Sequence, residues 1–102
     1  MSQRESKGAA QISAAVNGGE TTALAVLDET LARIEAYDAV QPQIWISRAP
    51  AERLRAQAKG IDARIAAGDT LPLAGVPFAV KDNIDVDGFE TTAGCPAFAY
   101  TP

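Results

Sequence analysis

The ten residues from 71 to 80 constrain the fold of this chain more than any other segment. The segment is apolar apart from two prolines and one glycine, and it ends abruptly at Lys81. Side chains alternate between the two faces of an extended strand, so from Val76 to Val80 both faces would be apolar. Strands of this kind are typical of sheets that other elements cover on both sides. We therefore predict a buried strand at about 76–81.

Three helices are predicted before this strand, at about 8–17, 22–39 and 50–67. In each segment, apolar residues recur at the three- and four-residue spacing of one helix face. Thr21 or Thr22 can cap the second helix, because a threonine hydroxyl accepts a hydrogen bond from a free N–H group of the first turn. We interpret the apolar stripes as faces that pack in a core.

A second, shorter strand is predicted at about 44–47, where two isoleucines flank Trp45. Helices followed by strands indicate an α/β fold. The core of the chain itself would be thin, because 21 of its 48 apolar residues are alanine, which buries little surface. We expect residues 1–102 to be incomplete as an independent fold, either as the N-terminal portion of a single larger domain or as a chain that needs a partner.

Charge and cysteine content exclude several kinds of partner. The formal net charge is −4 and the pI is about 4.6, so we expect no nucleic-acid or membrane partner, since both attract concentrated lysine and arginine. Cys95 is the one cysteine, so no internal disulfide can form. The polar N-terminus does not resemble a secretory signal, and the apolar segment is too short to span a bilayer. We predict a soluble, cytoplasmic protein.

Lys81 is the leading candidate for acid–base chemistry. The chain contains no histidine, which excludes Ser-His-Asp and Cys-His arrangements and histidine zinc sites, and we expect no metal or cofactor. Apolar surroundings disfavour an ammonium ion, so a lysine at the end of a covered strand can act as a base. The alternative is a lysine whose ammonium simply reaches water. Cys95 is a second candidate nucleophile, although a small buried thiol is the simpler interpretation.

Four residues near Lys81 are candidates for a supporting role. Asp82 and Asn83 favour a turn, and the Asp82 carboxylate can pair with a cation. Thr91 and Thr92 begin a loop of small residues, in which the backbone can approach a ligand closely. The simplest interpretation of the carboxylate is a solvated turn residue.

The sequence around Lys81 resembles the front of the amidase signature family. Residues 72–84 have the sequence PLAGVPFAVKDNI, and residues 91–94 have the sequence TTAG. The helical part that starts at about Gly8 is similar to the N-terminal helices of that family. The resemblance therefore covers nearly the whole chain, and its most specific motifs lie between residues 72 and 95.

Two segments most resemble the allophanate hydrolase branch of this family. They are residues 91–98, with the sequence TTAGCPAF, and residues 44–46, with the sequence IWI. Many other amidases have a serine where this chain has Cys95. The branch implies allophanate as the amide substrate, in the breakdown of urea or s-triazine nitrogen. The alternatives are a general amidase and the amidase subunit of a tRNA-dependent amidotransferase.

The resemblance implies a Ser–cis-Ser–Lys amide hydrolase built on a mixed sheet that helices flank. The lysine of the family corresponds to Lys81, which in its neutral form would accept a proton through a bridging serine and so activate the nucleophilic serine. Backbone N–H groups of a glycine- and serine-rich loop would stabilise the oxyanion. Ammonia would leave, and water would complete the hydrolysis without a cofactor.

The chain departs from the family because it contains no Gly-Gly-Ser-Ser-Gly-type motif. Both catalytic serines and the oxyanion donors are therefore absent, and we expect the chain alone to be inactive. The expected partners are a small-molecule amide and the remainder of the amidase domain, and a homodimer stays open. An interpretation of another class is a non-catalytic truncated remnant or a helical interaction module.

Overall fold

The computed structural model describes residues 8–102. Three α-helices form within this range: α1 is Ala9–Asn17, α2 is Ala23–Asp38 and α3 is Ala51–Ala66. Each lies where the spacing of apolar residues predicts a helix, and one 3₁₀ turn follows at Pro96–Phe98. None of these helices has the length and apolar character needed to cross a bilayer.

The start of α2 is capped by two side chains, one from its own end and one from α3. The hydroxyl of Thr22 accepts a hydrogen bond from the N–H of Ala25 at 3.0 Å. The carboxylate of Asp62 in α3 accepts hydrogen bonds from the N–H groups of Ala23 at 2.7 Å and Leu24 at 3.2 Å. A helix leaves its first N–H groups without intrahelical partners. The cap contributed by α3 therefore fixes where α2 begins.

The core between the helices is small. Val16 is buried, and the other buried members of the core cluster are alanines. The partly buried side chains that pack around them are Ile12, Leu24, Val26, Leu27, Ile61, Ile65 and Leu71. Because an alanine side chain removes little apolar surface from water, this cluster stabilises the helices less than one built from larger side chains.

Two polar side chains of α1 hold the loop that leads towards Lys81. The hydroxyl of Ser13 donates to the carbonyl oxygen of Pro72 at 2.8 Å. The Nδ2 atom of Asn17 donates to the carbonyl oxygen of Leu71 at 2.8 Å, and its Oδ1 atom accepts from the N–H of Leu71 at 2.9 Å. The Asn17 side chain thus pairs with both backbone polar groups of Leu71, and this fixes the point at which the loop contacts α1.

Gly75 allows the same loop to pass close to α1 and α2. Its φ angle is +72°, in the left-handed region that favours glycine. A Cβ atom at this position would lie 3.0 Å from Cγ2 of Val16 and 3.2 Å from Cα of Ala23. Backbone conformation and space therefore both require glycine at this point of the chain.

The two strands predicted at 44–47 and 76–81 are not formed within residues 8–102. A strand is stabilised by backbone hydrogen bonds to a neighbour, and the β pairing described in this range is an isolated antiparallel bridge between Thr91 and Tyr100. The predicted burial is also wrong for this chain, because Phe78 is 86% exposed. The alternating pattern indicates an extended conformation, but it does not supply the neighbouring strands that a sheet requires. The described fold is helical.

Candidate active site

An open groove of about 670 Å³ lies beside Lys81. Its walls are the C-terminal half of α2, the N-terminal half of α3, residues 44–49 and residues 78–90. Much of the lining is apolar and includes Trp45, whereas charged groups come from Arg48, Arg53, Lys81, Asp82 and Glu90. The volume is in the range of clefts that bind small molecules, about 300–1,000 Å³.

Lys81 begins a tight turn at the edge of this groove. Its carbonyl oxygen accepts a hydrogen bond from the N–H of Ile84 at 3.0 Å. The side chain of Lys81 is exposed. The apolar enclosure expected around it is not formed by residues 8–102, because Phe78 and Val80, which precede it, are themselves exposed. Its role as a base stays a prediction.

Asp82 attaches this turn to the small-residue loop. Its carboxylate accepts hydrogen bonds from the backbone N–H of Thr92 at 3.1 Å and from the Thr92 hydroxyl, and its carbonyl oxygen accepts from the N–H of Ala93 at 3.0 Å. The pKa of the Asp82 carboxyl is held below its usual value, and the largest cause is the hydrogen bond from the Thr92 hydroxyl. The N–H groups of Thr92 and Gly94 act in the same direction, whereas burial raises the pKa. Asp82 is therefore an ionised acceptor at neutral pH.

Asp85 attaches the other end of the turn. Its Oδ1 atom accepts hydrogen bonds from the Thr91 hydroxyl at 2.7 Å and from the Tyr100 hydroxyl at 2.6 Å. The hydrogen bond from the Tyr100 hydroxyl is the largest cause that lowers the pKa of the Asp85 carboxyl below its usual value, and the bond from the Thr91 hydroxyl is the second. The same hydrogen bond raises the pKa of the Tyr100 hydroxyl. These three side chains form one polar cluster.

The loop after Thr92 has a left-handed backbone at two consecutive residues. The φ angle is 51° at Ala93 and 76° at Gly94. This conformation costs an alanine about 1–2 kcal/mol, and the hydrogen bond from Ala93 to Asp82 holds it in place. The thiol of Cys95, the next residue, is exposed. The interpretation of Cys95 as a small buried thiol is therefore wrong for this chain.

The structure brings the candidates for a supporting role to one place beside Lys81. Thr92 contacts Asp82, and Thr91 lies next to it along the chain. Asn83 lies exposed in the same turn. The sequence alone does not point to Tyr100, because fifteen residues separate it from Asp85 and no local spacing connects them. No three His, Cys, Asp or Glu residues in the described part of the chain are arranged to hold a metal ion.

Comparison with known proteins identifies the family. The model of the Amidase family matches residues 25–102, a range that contains Lys81, the groove and the cluster around Asp85. The chain belongs to the amidase signature family. The resemblance of residues 72–84 to this family is therefore confirmed.

Two relatives of this chain show how far the similarity extends. A glutamyl-tRNA(Gln) amidotransferase subunit from Deinococcus deserti is 44% identical over 86 residues, which are 84% of this chain and 17% of that protein. The urea amidolyase of Saccharomyces cerevisiae is 55% identical over 58 residues, which are 57% of this chain and 3% of that protein. The chain thus spans less than a fifth of the length of these curated relatives. Because the chain is similar to both relatives, the comparison does not distinguish between the substrate of the first and the substrate of the second.

Proposed function

We propose that residues 1–102 form the N-terminal portion of a single amide hydrolase domain of the Ser–cis-Ser–Lys type, with Lys81 as its base. The observation that carries this proposal is the Amidase match, which runs through Lys81 and continues to residue 102. In the whole domain, residues 44–47 and 76–81 would be strands of a mixed sheet that helices flank. The exposure of Phe78 supports this, because burying such a side chain contributes about 2 kcal/mol.

In this mechanism the chain supplies the base and other residues supply the nucleophile. The neutral amine of Lys81 accepts a proton through the bridging serine, and the activated serine attacks the amide carbonyl. Backbone N–H groups stabilise the oxyanion, ammonia leaves, and water hydrolyses the acyl-enzyme. The sequence contains no Gly-Gly-Ser-Ser-Gly-type motif. The remainder of the amidase domain is therefore the partner that activity requires, and the reaction needs no metal or cofactor.

The supporting residues shape the loop beside the base. We assign this role to Asp82, Thr91 and Thr92 on the basis of the hydrogen bonds that join the turn to the loop. The same role for Asn83 is a prediction from its place in the turn. The small-molecule amide would bind in the groove beside Lys81. The cytoplasmic location, the homodimer and the absence of nucleic-acid and membrane partners stay predictions from the sequence.

Allophanate is the substrate that we favour. Its support is the identity of 55% with a urea amidolyase and the loop sequence at residues 91–98. The second candidate is the role of a glutamyl-tRNA(Gln) amidotransferase subunit, which the longer similarity over 86 residues favours, and a general amidase stays a third. A non-catalytic remnant or helical interaction module is the alternative of another class.

Chimeric enzymes test the proposal. Residues 8–102, which keep α1 and its hydrogen bonds to the loop before Lys81, would replace the corresponding segment of the Deinococcus amidotransferase subunit or, in a separate protein, of the yeast urea amidolyase. Ammonia release from glutamine and from allophanate would be measured. Lys81→Ala should reduce turnover by about 10²–10⁴-fold, the usual contribution of a general base. Lys59→Ala, which changes an exposed lysine of α3, is the control. Retained turnover in Lys81→Ala would refute the assigned role, and inactivity of both chimeras would favour the non-catalytic alternative.

A further inference from the structure

Thr91 anchors the part of the chain that carries Lys81. It is 2% exposed and is the one buried residue of the range 76–102. Its N–H donates to the carbonyl oxygen of Tyr100 at 2.8 Å, and its carbonyl oxygen accepts from the N–H of Tyr100 at 3.0 Å. Its hydroxyl donates to Asp85. Because a buried polar group without a partner is unfavourable, the carboxylate of Asp85 is part of what allows Thr91 to be buried.

Two carboxylates attach the same turn to two adjacent threonines. The carboxylate of Asp82, directly after Lys81, accepts a hydrogen bond from Thr92, and that of Asp85 accepts one from Thr91. Apolar packing contributes less here, because the large apolar side chains around the turn, including Phe78, are exposed or only partly buried. Two ring contacts are formed, one between Phe98 and Tyr100 and one between Phe89 and Arg53. The orientation of Lys81 relative to the loop therefore depends on these polar attachments.

We propose that Asp85 is a positioning residue for Lys81, and that it fixes the direction of Lys81 towards the groove by fastening the turn to Thr91 and Tyr100. This inference rests on the proposed role of Lys81 as the base. An ionised oxygen suits this task, because it accepts two O–H donors in short, charge-assisted hydrogen bonds, whereas a neutral amide oxygen forms weaker ones. The lowered pKa of Asp85 agrees with such a charged acceptor.

The kinetics of an active chimeric amidase test this role. Asp85→Asn should lower kcat about ten- to a hundredfold while KM changes less than about twofold, because a misdirected base affects the transition state rather than substrate binding. Tyr100→Phe should act in the same direction with a smaller effect. Asp87→Asn changes an exposed carboxylate in the next turn and should leave both constants unchanged.

The Lys81→Ala background separates positioning from general structural damage. If Asp85 acts through Lys81, adding Asp85→Asn to Lys81→Ala should not reduce the residual rate further. An unchanged kcat in Asp85→Asn alone, or an equal loss with and without Lys81, would overturn the proposal.

A folded chimera, whether active or inactive, gives a second test that needs no activity. In nitrogen-15 relaxation, the backbone order parameters of Lys81 and Thr92 should fall in Asp85→Asn from about 0.85, typical of rigid backbone, towards values below about 0.6. They should not fall in Asp87→Asn. Unchanged order parameters at Lys81 would refute the positioning role even if every chimera is inactive. Failure of the base and failure of its positioning residue are thereby told apart.

Discussion

The carboxylate of Asp62 accepts a hydrogen bond from the N–H of Ala23 at 2.7 Å, so one helix caps the start of another. Asp62→Ala should remove this cap and the parallel bond to Leu24. Loss of a helix N-cap costs about 1–2 kcal/mol. We therefore expect amide hydrogen exchange at Ala23 and Leu24 to accelerate about tenfold, since about 1.4 kcal/mol corresponds to a factor of ten.

The control for this change is Asp28→Ala in α2. Asp28 forms an exposed ion pair with Arg55 at 3.4 Å, and exposed pairs contribute about 0–1 kcal/mol. Exchange at Ala23 should therefore change less than in Asp62→Ala, by about fivefold at most. Equal acceleration in both variants would show that the cap from Asp62 does not stabilise α2.

Gly75→Ala should destabilise the chain more than Gly19→Ala. Both glycines have a positive φ angle, which costs an alanine about 1–2 kcal/mol. A Cβ atom at Gly75 would also press on Val16, whereas nothing lies within 4 Å of one at Gly19. Crowding of this kind adds about 1–3 kcal/mol. Thermal unfolding followed by circular dichroism should give a lower midpoint for Gly75→Ala, and equal midpoints would contradict the close contact.

Phe78→Ser should leave the stability of the isolated chain almost unchanged. The Phe78 side chain is 86% exposed, so its removal should alter the free energy of unfolding by about 0.5 kcal/mol or less. Binding of a dye that detects apolar surface should decrease, because Phe78 lines the groove. In an active chimera the same change should destabilise the domain, since there the side chain would be covered. A marked loss of helix content in the isolated chain would contradict the exposed position.

The titration of Tyr100 should report its contact with Asp85. The hydrogen bond raises the pKa of Tyr100 above the ordinary value of 10.0, so the stability it contributes is fully present below pH 10.0 and is lost as the pH rises through the raised value. On the acid side, the pKa of Asp85 lies below its ordinary value of 3.8. The stability that its hydrogen bonds contribute is therefore present above pH 3.8 and is lost as the pH falls through the lowered pKa. Carbon-13 spectra of the tyrosine rings should show the pKa of Tyr100 moving down towards 10.0 in Asp85→Asn. Identical titration in both proteins would argue against the contact.

The helices were predictable because their signals are local. Apolar residues at helical spacing mark α2 and α3, and Thr22 caps α2 as one of the two threonines was expected to do. The strand predicted at 76–81 does not depend on local signals alone. The alternation of its side chains indicates that both faces favour apolar contacts, but it does not indicate whether a neighbouring strand is present. Within the described residues no sheet covers it, and Phe78 is exposed.

The candidate site was predictable in its parts but not in its connections. Turn-forming and small residues indicate the turn at Asp82 and the loop at Thr92 separately. The bond between their side chains depends on the path of the chain across the intervening residues, and so does the contact of Asp85 with Tyr100. Long-range polar pairs of this kind leave no periodic pattern in a sequence.

The hydrogen bonds from α1 to the loop before Gly75 have a consequence for how such sequences can diverge. Ser13 and Asn17 bind only main-chain atoms of Leu71 and Pro72. Every residue type offers a carbonyl group, and all but proline offer an N–H. These hydrogen bonds therefore place no requirement on the side chain at position 72, and at position 71 they exclude only proline. Asn17 has no such freedom, because a carboxylate lacks its donor and a longer amide would displace the loop.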